Sequence, residues 1–301
     1  MKLLPLFTIL CGVAFAQQDD STLNARNVIG MENIKHNATG KLTIQDGAMH
    51  FSAGQAEAKI PVASIEDIVT GSETTQAGGT AGRVAKTAAP YDSGVGLSLL
   101  LRTKVDILTV EYRDVDGGRH AAILALPKGR AEPFRTQLVA AGAHTKAPVE
   151  HASTERKAAA PVAARPKSSP TAIQIDEVDS GDVPIPAEFR LAIYERLIQR
   201  VTESGIFQKV LRSGDRAAAD IPDLVTLHTT VQGYKQGSQM KREITTVLGA
   251  TRVDVSTTVT AGDGQTLLQH DIIGRVRFFG ENLGVTNDLA KRIAKLLHKS
   301  L

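Results

Sequence analysis

The sequence predicts an α+β fold in two domains, and three observations carry that expectation. Residues 143–172 read AHTKAPVEHASTERKAAAPVAARPKSSPTA, with nine alanines, four prolines and no aromatic, Leu or Ile side chain. Such a stretch cannot bury enough surface to offset its ordering entropy, so it reads as a disordered, partly polyproline-like linker. Before it, strand-like segments bounded by turn residues are followed by one closing helix. After it, the pattern runs β-α-β-β-β-β-β-α, with mostly antiparallel strands. At 301 residues, 42% apolar and 22% charged, the chain is long enough for two cores and too ordinary in composition for collagen or wholesale disorder.

The first element is a leader. Lys2 precedes the apolar stretch Leu3 to Phe15, and Ala14-Phe15-Ala16 is an A-x-A site followed by polar residues. Residues 1–16 therefore read as a secretory signal peptide cut after Ala16, giving an exported, periplasmic or secreted protein. Cys11, the single cysteine, lies inside that stretch behind Leu10, where a lipoprotein acceptor would follow a small residue. The mature chain then has no thiolate to act as nucleophile or metal ligand. No later segment is long and apolar enough to span a bilayer.

The first domain, 24–142, is expected to be a β meander. Lys41 to Gln45 alternates in polarity and ends at the turn pair Asp46-Gly47; Met49, Phe51 and Ala56 to Ile60 continue it. Val62 to Gly71 reads as another strand. The apolar runs LSLLL and VDILTVEY read as two more, broken at Arg102-Thr103-Lys104, and Ala121 to Leu126 as the last. Phe134, Leu138 and Ala141 share one helical face in Arg130 to Ala141, and Gly142 suits the C-cap. Residues 72–94 are Gly/Ala/Thr-rich and read as a loop. The glycines Gly78, Gly79 and Gly82 before Lys86-Thr87 invite a phosphate-loop reading, but Ala85 and Thr80 stand where that pattern needs glycine.

This order, with Ile60-Pro61-Val62-Ala63-Ser64-Ile65 turning one strand into the next, resembles bacterial pleckstrin-homology-like domains. The resemblance implies a β-barrel with a closing helix, a fold that binds lipid headgroups, peptides or proteins and selects none of them by itself.

The second domain, 173–301, opens with a strand from Ala172 to Val178 and an acidic turn. The helix Ala187 to Ser204 follows, with Phe189, Ile193, Leu197 and Val201 at every fourth position and Gly205 as its stop. Ile206 to Leu211, Leu224 to Gln232, Ile244 to Leu248, Arg252 to Thr260 and Thr266 to Phe279 read as strands. A terminal helix has Thr286 as N-cap, Asp288 in its first turn, and Leu289, Ile293, Leu296 and Leu297 as its stripe. The run Val201-Thr202-Glu203-Ser204-Gly205-Ile206-Phe207, then Pro222-Asp223-Leu224-Val225, the hairpin Asp263-Gly264-Gln265 and the helix Leu289 to Ala294 resemble bacterial envelope domains of unknown function. Those share a fold with curli-secretion lipoproteins and the TolB amino-terminal domain, and the Asp263-Gly264 hairpin lacks their Thr. The resemblance implies an assembly or accessory module of the envelope without a catalytic set.

Motifs for chemistry are sparse. The histidines fall in separate elements without H-x-x-x-H spacing, and His270-Asp271 are strand neighbours that point to opposite faces. Ser98 has Leu100 where a nucleophile elbow needs glycine. The acids Asp176, Glu177, Asp179 and Asp182 lack EF-hand spacing. No catalytic residue, metal or cofactor is therefore expected, although a site assembled from distant residues stays open as a hydrolase alternative. Arg275 and Arg277 make a candidate basic strand face beside Phe278-Phe279, and the exported address argues against a nucleic-acid partner. The formal charge of +3 resides in the linker: Lys146, Arg156, Lys157, Arg165 and Lys167 face only Glu150 and Glu155, while both domains are near neutral. The expected function is an exported, non-catalytic binding or assembly module of the bacterial envelope with a protein partner. The alternative is a binder of anionic lipid or cell-wall polymer through those linker cations.

Overall fold

A computed structural model describes residues 22–76, 102–146, 170–237, 250–276 and 283–301. The leader with Cys11, the glycine-rich stretch from 77, LSLLL, most of the linker, the expected strand Ile244–Leu248, and Arg277 with its neighbouring phenylalanines lie outside the described residues.

The first half is a seven-stranded antiparallel sheet in the order β4-β3-β2-β1-β7-β6-β5. Its strands are β1 (Leu23–Ile29), β2 (Thr39–Gln45), β3 (Ala48–Ala53), β4 (Ala56–Pro61), β5 (Ile65–Gln76), β6 (Arg102–Arg113) and β7 (Arg119–Pro127), and helix α1 (Ala131–Ala140) packs against β5 and β6. Among the described residues no ladder joins β4 to β5, so the expected barrel is an open sheet, and a 3-10 turn at Val62–Ser64 connects these two outer strands. Two local expectations change. Strand β1, with inward Leu23 and Ala25, joins the meander ahead of Lys41. The expected break at Arg102-Thr103-Lys104 is strand, because those residues pair with Gln76, Thr75 and Thr74 in the β5 ladder, which also takes 72–76 out of the expected loop. Backbone pairing overrides the polar side chains there. Gly142 follows α1 with φ +105°, and its N–H and that of Ala143 return to the carbonyls of Val139 and Leu138, as the C-cap expectation requires.

The second half is a five-stranded mixed sheet, β12-β11-β10-β8-β9. It comprises β8 (Ala172–Ile175), helix α2 (Ala187–Ser204), β9 (Lys209–Arg212), β10 (Leu224–Lys235), β11 (Thr251–Ala261), β12 (Thr266–Val276) and helix α3 (Gly284–Ser300). β8 runs parallel to both of its neighbours, and the other pairs are antiparallel. Gly205 caps α2 at φ +64°. Thr286 is not the N-cap of α3: the helix starts at Gly284, and Thr286 is buried inside it with its hydroxyl donating to the Leu283 carbonyl at 2.7 Å.

The two halves share a core. Along β7, Ala122, Leu124 and Leu126 point into the first half's own core with Phe51, Phe134 and Leu138. Their neighbours Ala121, Ile123 and Ala125 point the other way, into a core with Ile193, Leu197 and Val201 of α2 and Ile173 and Ile175 of β8. Helix α2 thus lies between the sheets, touching β1, β5 and β7 on one side and β8 and β9 on the other. Helix α3 packs beside α2 on β11 and β12.

Candidate functional site

Two polar clusters arise from this layering. The first sits where the halves meet. Glu195 of α2 is 3% exposed. Arg212 of β9 meets it with two parallel bonds, Nη1 to Oε1 at 2.8 Å and Nη2 to Oε2 at 3.0 Å. The Ala121 N–H of β7 donates to the same Oε1 at 2.8 Å. Arg212 Nη1 also donates to the Arg119 carbonyl at 3.0 Å, and the Tyr194 hydroxyl donates there at 3.1 Å while accepting from the Ser213 N–H. Burial alone would lower the Arg212 pKa; the Glu195 charge outweighs it and holds the guanidinium above its ordinary value. Burial, with Glu195 beside it, pushes the Tyr194 phenol up to about 12 against the pull of Arg212. The hairpin tip between β6 and β7 docks alongside, with Arg119 N–H on the Ser213 carbonyl and Arg216 N–H on the Asp116 carbonyl, both at 3.0 Å. Arg119 then bridges to Glu177 at 2.8 Å, on the rim of a small pocket lined also by Arg190 and Tyr194. The Arg212 guanidinium, the Ala121 N–H and the Tyr194 hydroxyl all find acceptors across the junction, while the buried Arg119 Nε has none, so this cluster reads as a weld between the halves.

Beside it, His120 of β7 is 3% exposed, stacked on Tyr112 at 4.9 Å, with Nε2 2.9 Å from Asp114. Burial would raise the Asp114 pKa; the hydrogen bonds from His120 and the Gly118 N–H outweigh it and hold the carboxyl below its usual range.

The second cluster lies on the opposite face of the second sheet. Along β11 Val253, Val255, Thr257 and Val259 are buried toward the helices, so Asp254, Ser256, Thr258 and Thr260 face outward. His228 of β10 stands directly opposite Thr258 in the ladder. Its Nδ1 is 2.9 Å from Asp176 Oδ2, just past β8, and its Nε2 is 3.0 Å from Thr260 Oγ1. A carboxylate only accepts, so Nδ1 carries a proton, and in the neutral ring Nε2 is the nitrogen that accepts from the threonine hydroxyl. The Gln174 amide reaches the other oxygen of Asp176 at 3.4 Å. No described element covers this face, and the His228 and Asp176 side chains remain 39% and 31% exposed. Carboxylate, imidazole and hydroxyl are therefore aligned on an accessible surface.

The residues singled out from sequence are dispersed. Lys146 is not free on a tether: its N–H donates to Asp67 Oδ1 at 3.0 Å and its ammonium lies 3.6 Å from the buried carboxylate of Glu111. Arg156, Lys157, Arg165, Lys167 and Arg277 lie outside the described residues. Arg275 is on the outer face of β12, directly opposite Arg252, with its N–H donating to Asp288. The acidic run divides its work: Asp176 goes to His228, Glu177 to Arg119, and Asp179 accepts from the Gly181 N–H. Among the described residues no group of three or more His, Cys, Asp or Glu is placed to hold a metal ion. No described helix is long and apolar enough to cross a membrane. Sequence reasoning missed the His228 cluster because its members lie on two strands and just past a third, and no local spacing links them.

No family model matches the chain, and no curated protein matches it. Among solved structures, the PelC dodecamer from Paraburkholderia phytofirmans is 11% identical, aligns over 46% of this chain and 93% of that one, and gives a TM-score of 0.33. A candidate lipoprotein from Caulobacter crescentus CB15 is 13% identical over 41% of this chain and 85% of that one, with a TM-score of 0.24. A candidate neuraminyllactose-binding hemagglutinin homolog from Helicobacter pylori is 10% identical over 47% and 89%, with a TM-score of 0.27. The chain is thus weakly similar to bacterial proteins of this kind, at scores too low to carry an argument about its function.

Proposed function

We propose that the chain is an exported binding or assembly module of the bacterial cell envelope, in which a welded two-sheet body presents the outer face of its second sheet to an envelope protein. The observation that supports it most is the position of α2. It closes one face of each sheet onto a common core and leaves the Asp176, His228, Thr258 and Thr260 face uncovered among the described residues. The export signal read from residues 1–16 supplies the address. A photo-crosslinking residue at Ser256, with a control at Glu57 on β4, tests this in native envelope. A defined partner captured at Ser256 and not at Glu57 is the expected result, and recovery of monomer alone contradicts it.

A second reading keeps the anionic surface as partner, supported by the net charge of +3 in residues 143–172 between two near-neutral halves. Lys146 is not part of it, since its ammonium lies 3.6 Å from the buried Glu111 carboxylate, and the stretch carries +2 without it. Co-sedimentation with anionic vesicles that weakens steeply with salt supports this reading, and salt-independent binding removes it.

A further inference from the structure

We propose that the Asp176–His228–Thr260 chain is an acyl-transfer site, with Thr260 as nucleophile, His228 as general base and Asp176 as its positioning partner, acting on small esters. The proposal goes beyond the binding role and departs from the expectation of a chain without catalysis. It stands on geometry: Oδ2 to Nδ1 at 2.9 Å, Nε2 to Oγ1 at 3.0 Å, and an imidazole reachable from solvent at 39% exposure.

A hydroxyl is a poor nucleophile until a base shares its proton, and a base serves only in the right tautomer and orientation. Both conditions are built into the strands. The N–H after β8 donates to the Leu227 carbonyl at 3.0 Å, which fixes Asp176 beside β10. The β10–β11 register places Thr260 diagonally across from His228. The same register sets Thr226 directly opposite Thr260, on the same face, so a second hydroxyl stands beside the position where an oxyanion would form. The accessible His228 and Asp176 side chains leave room for a small ester to approach, which sets the substrate class.

The step balances with water as co-reactant. Thr260 Oγ1 attacks the ester carbonyl carbon, a new C–O bond forms, and the threonine proton passes to His228 Nε2. The bond to the alcohol breaks and the alcohol leaves with that proton. Water then attacks the acyl-Thr260, gives a proton to His228 and releases the carboxylic acid, while Thr260 recovers its hydrogen from the imidazole.

The test is covalent labelling of the full chain with a fluorophosphonate probe, read by peptide mass spectrometry. The expected result is a single adduct on Thr260 that is absent after unfolding. Thr260→Val abolishes it, Thr260→Ser keeps or accelerates it, and His228→Gln slows it by about 100-fold or more, the scale of a lost general base. Circular dichroism of each variant checks that the fold survives. Labelling of the native chain no faster than that of Thr260→Val, or unchanged in His228→Gln, overturns the proposal. Neither outcome bears on partner capture at Ser256, so the two readings fail separately.

Discussion

At the scale of single residues, the junction depends on a charge pair whose carboxylate is buried and whose guanidinium is mostly so. Removing one member leaves the other buried and unpaired, so Glu195→Ala should cost about 3–5 kcal/mol in denaturant unfolding. Replacing both partners, as Glu195→Met with Arg212→Leu, should cost clearly less than the single change, because the desolvation penalty of the pair disappears with it. A double change as costly as Glu195→Ala would show that packing, not charge, is lost. Two carboxyls titrate with opposite signs. Burial raises the Glu188 pKa, so its contribution to stability is complete below the unfolded value and is lost as pH rises through the folded one. Asp114 is lowered in the folded state, so its contribution is present above the unfolded value and is lost as pH falls through the folded one. Stability measured against pH should therefore rise at neutral pH in Glu188→Gln and lose part of its acid dependence in Asp114→Asn. The individual partners were not legible in sequence. Glu195 lies on the face of α2 opposite its Phe189, Ile193, Leu197 and Val201 stripe, so the periodicity does not flag a buried acid, and nothing nearby names Arg212 as its mate. Asp176, His228 and Thr260 become neighbours only through the parallel β8–β10 and antiparallel β10–β11 registers.

At the scale of elements, the helices and most strands follow the periodicities that predicted them. α2 matches its four-residue stripe because Phe189, Ile193, Leu197 and Val201 are all buried. The exceptions have physical causes. β6 runs through polar Arg102-Thr103-Lys104 because β5 supplies a ladder, and Thr286 lies inside α3 because the helix begins one turn earlier than its capping residue suggested. β7 held a signal not drawn from it: Ala121 to Leu126 is apolar without alternation, the mark of a strand covered on both faces. That run announces a second layer, and α2 is the layer. Ile193→Ala should therefore cost about 2–5 kcal/mol, the usual range for a cavity in a closed core. Gly30 tests the register of β1 against β7. Its φ is +94°, and an added Cβ would lie 1.8 Å from the Ala121 carbonyl oxygen, so Gly30→Ala should destabilise by at least ~2–3 kcal/mol.

At the scale of the whole molecule, sequence composition suggested two domains joined by a linker, and the described residues of both halves contribute to one core cluster. The weld uses backbone bonds at the β6–β7 hairpin, the Glu195–Arg212 pair and the shared core around α2. A linker without Leu, Ile or aromatic side chains gives no hint of this, since it reports only on itself and not on the faces that the two halves turn toward each other. The proposed binding role rests on the same arrangement, because a fixed body would hold the open face of the second sheet in one orientation. The most direct measurement is to place a specific protease site within residues 150–165, cut the folded protein there, and follow size and unfolding. The account predicts that both fragments elute together at the size of the intact chain and unfold in one transition, and that Glu195→Ala loosens the pair. Fragments that separate on cutting, each keeping its own unfolding transition, would contradict it.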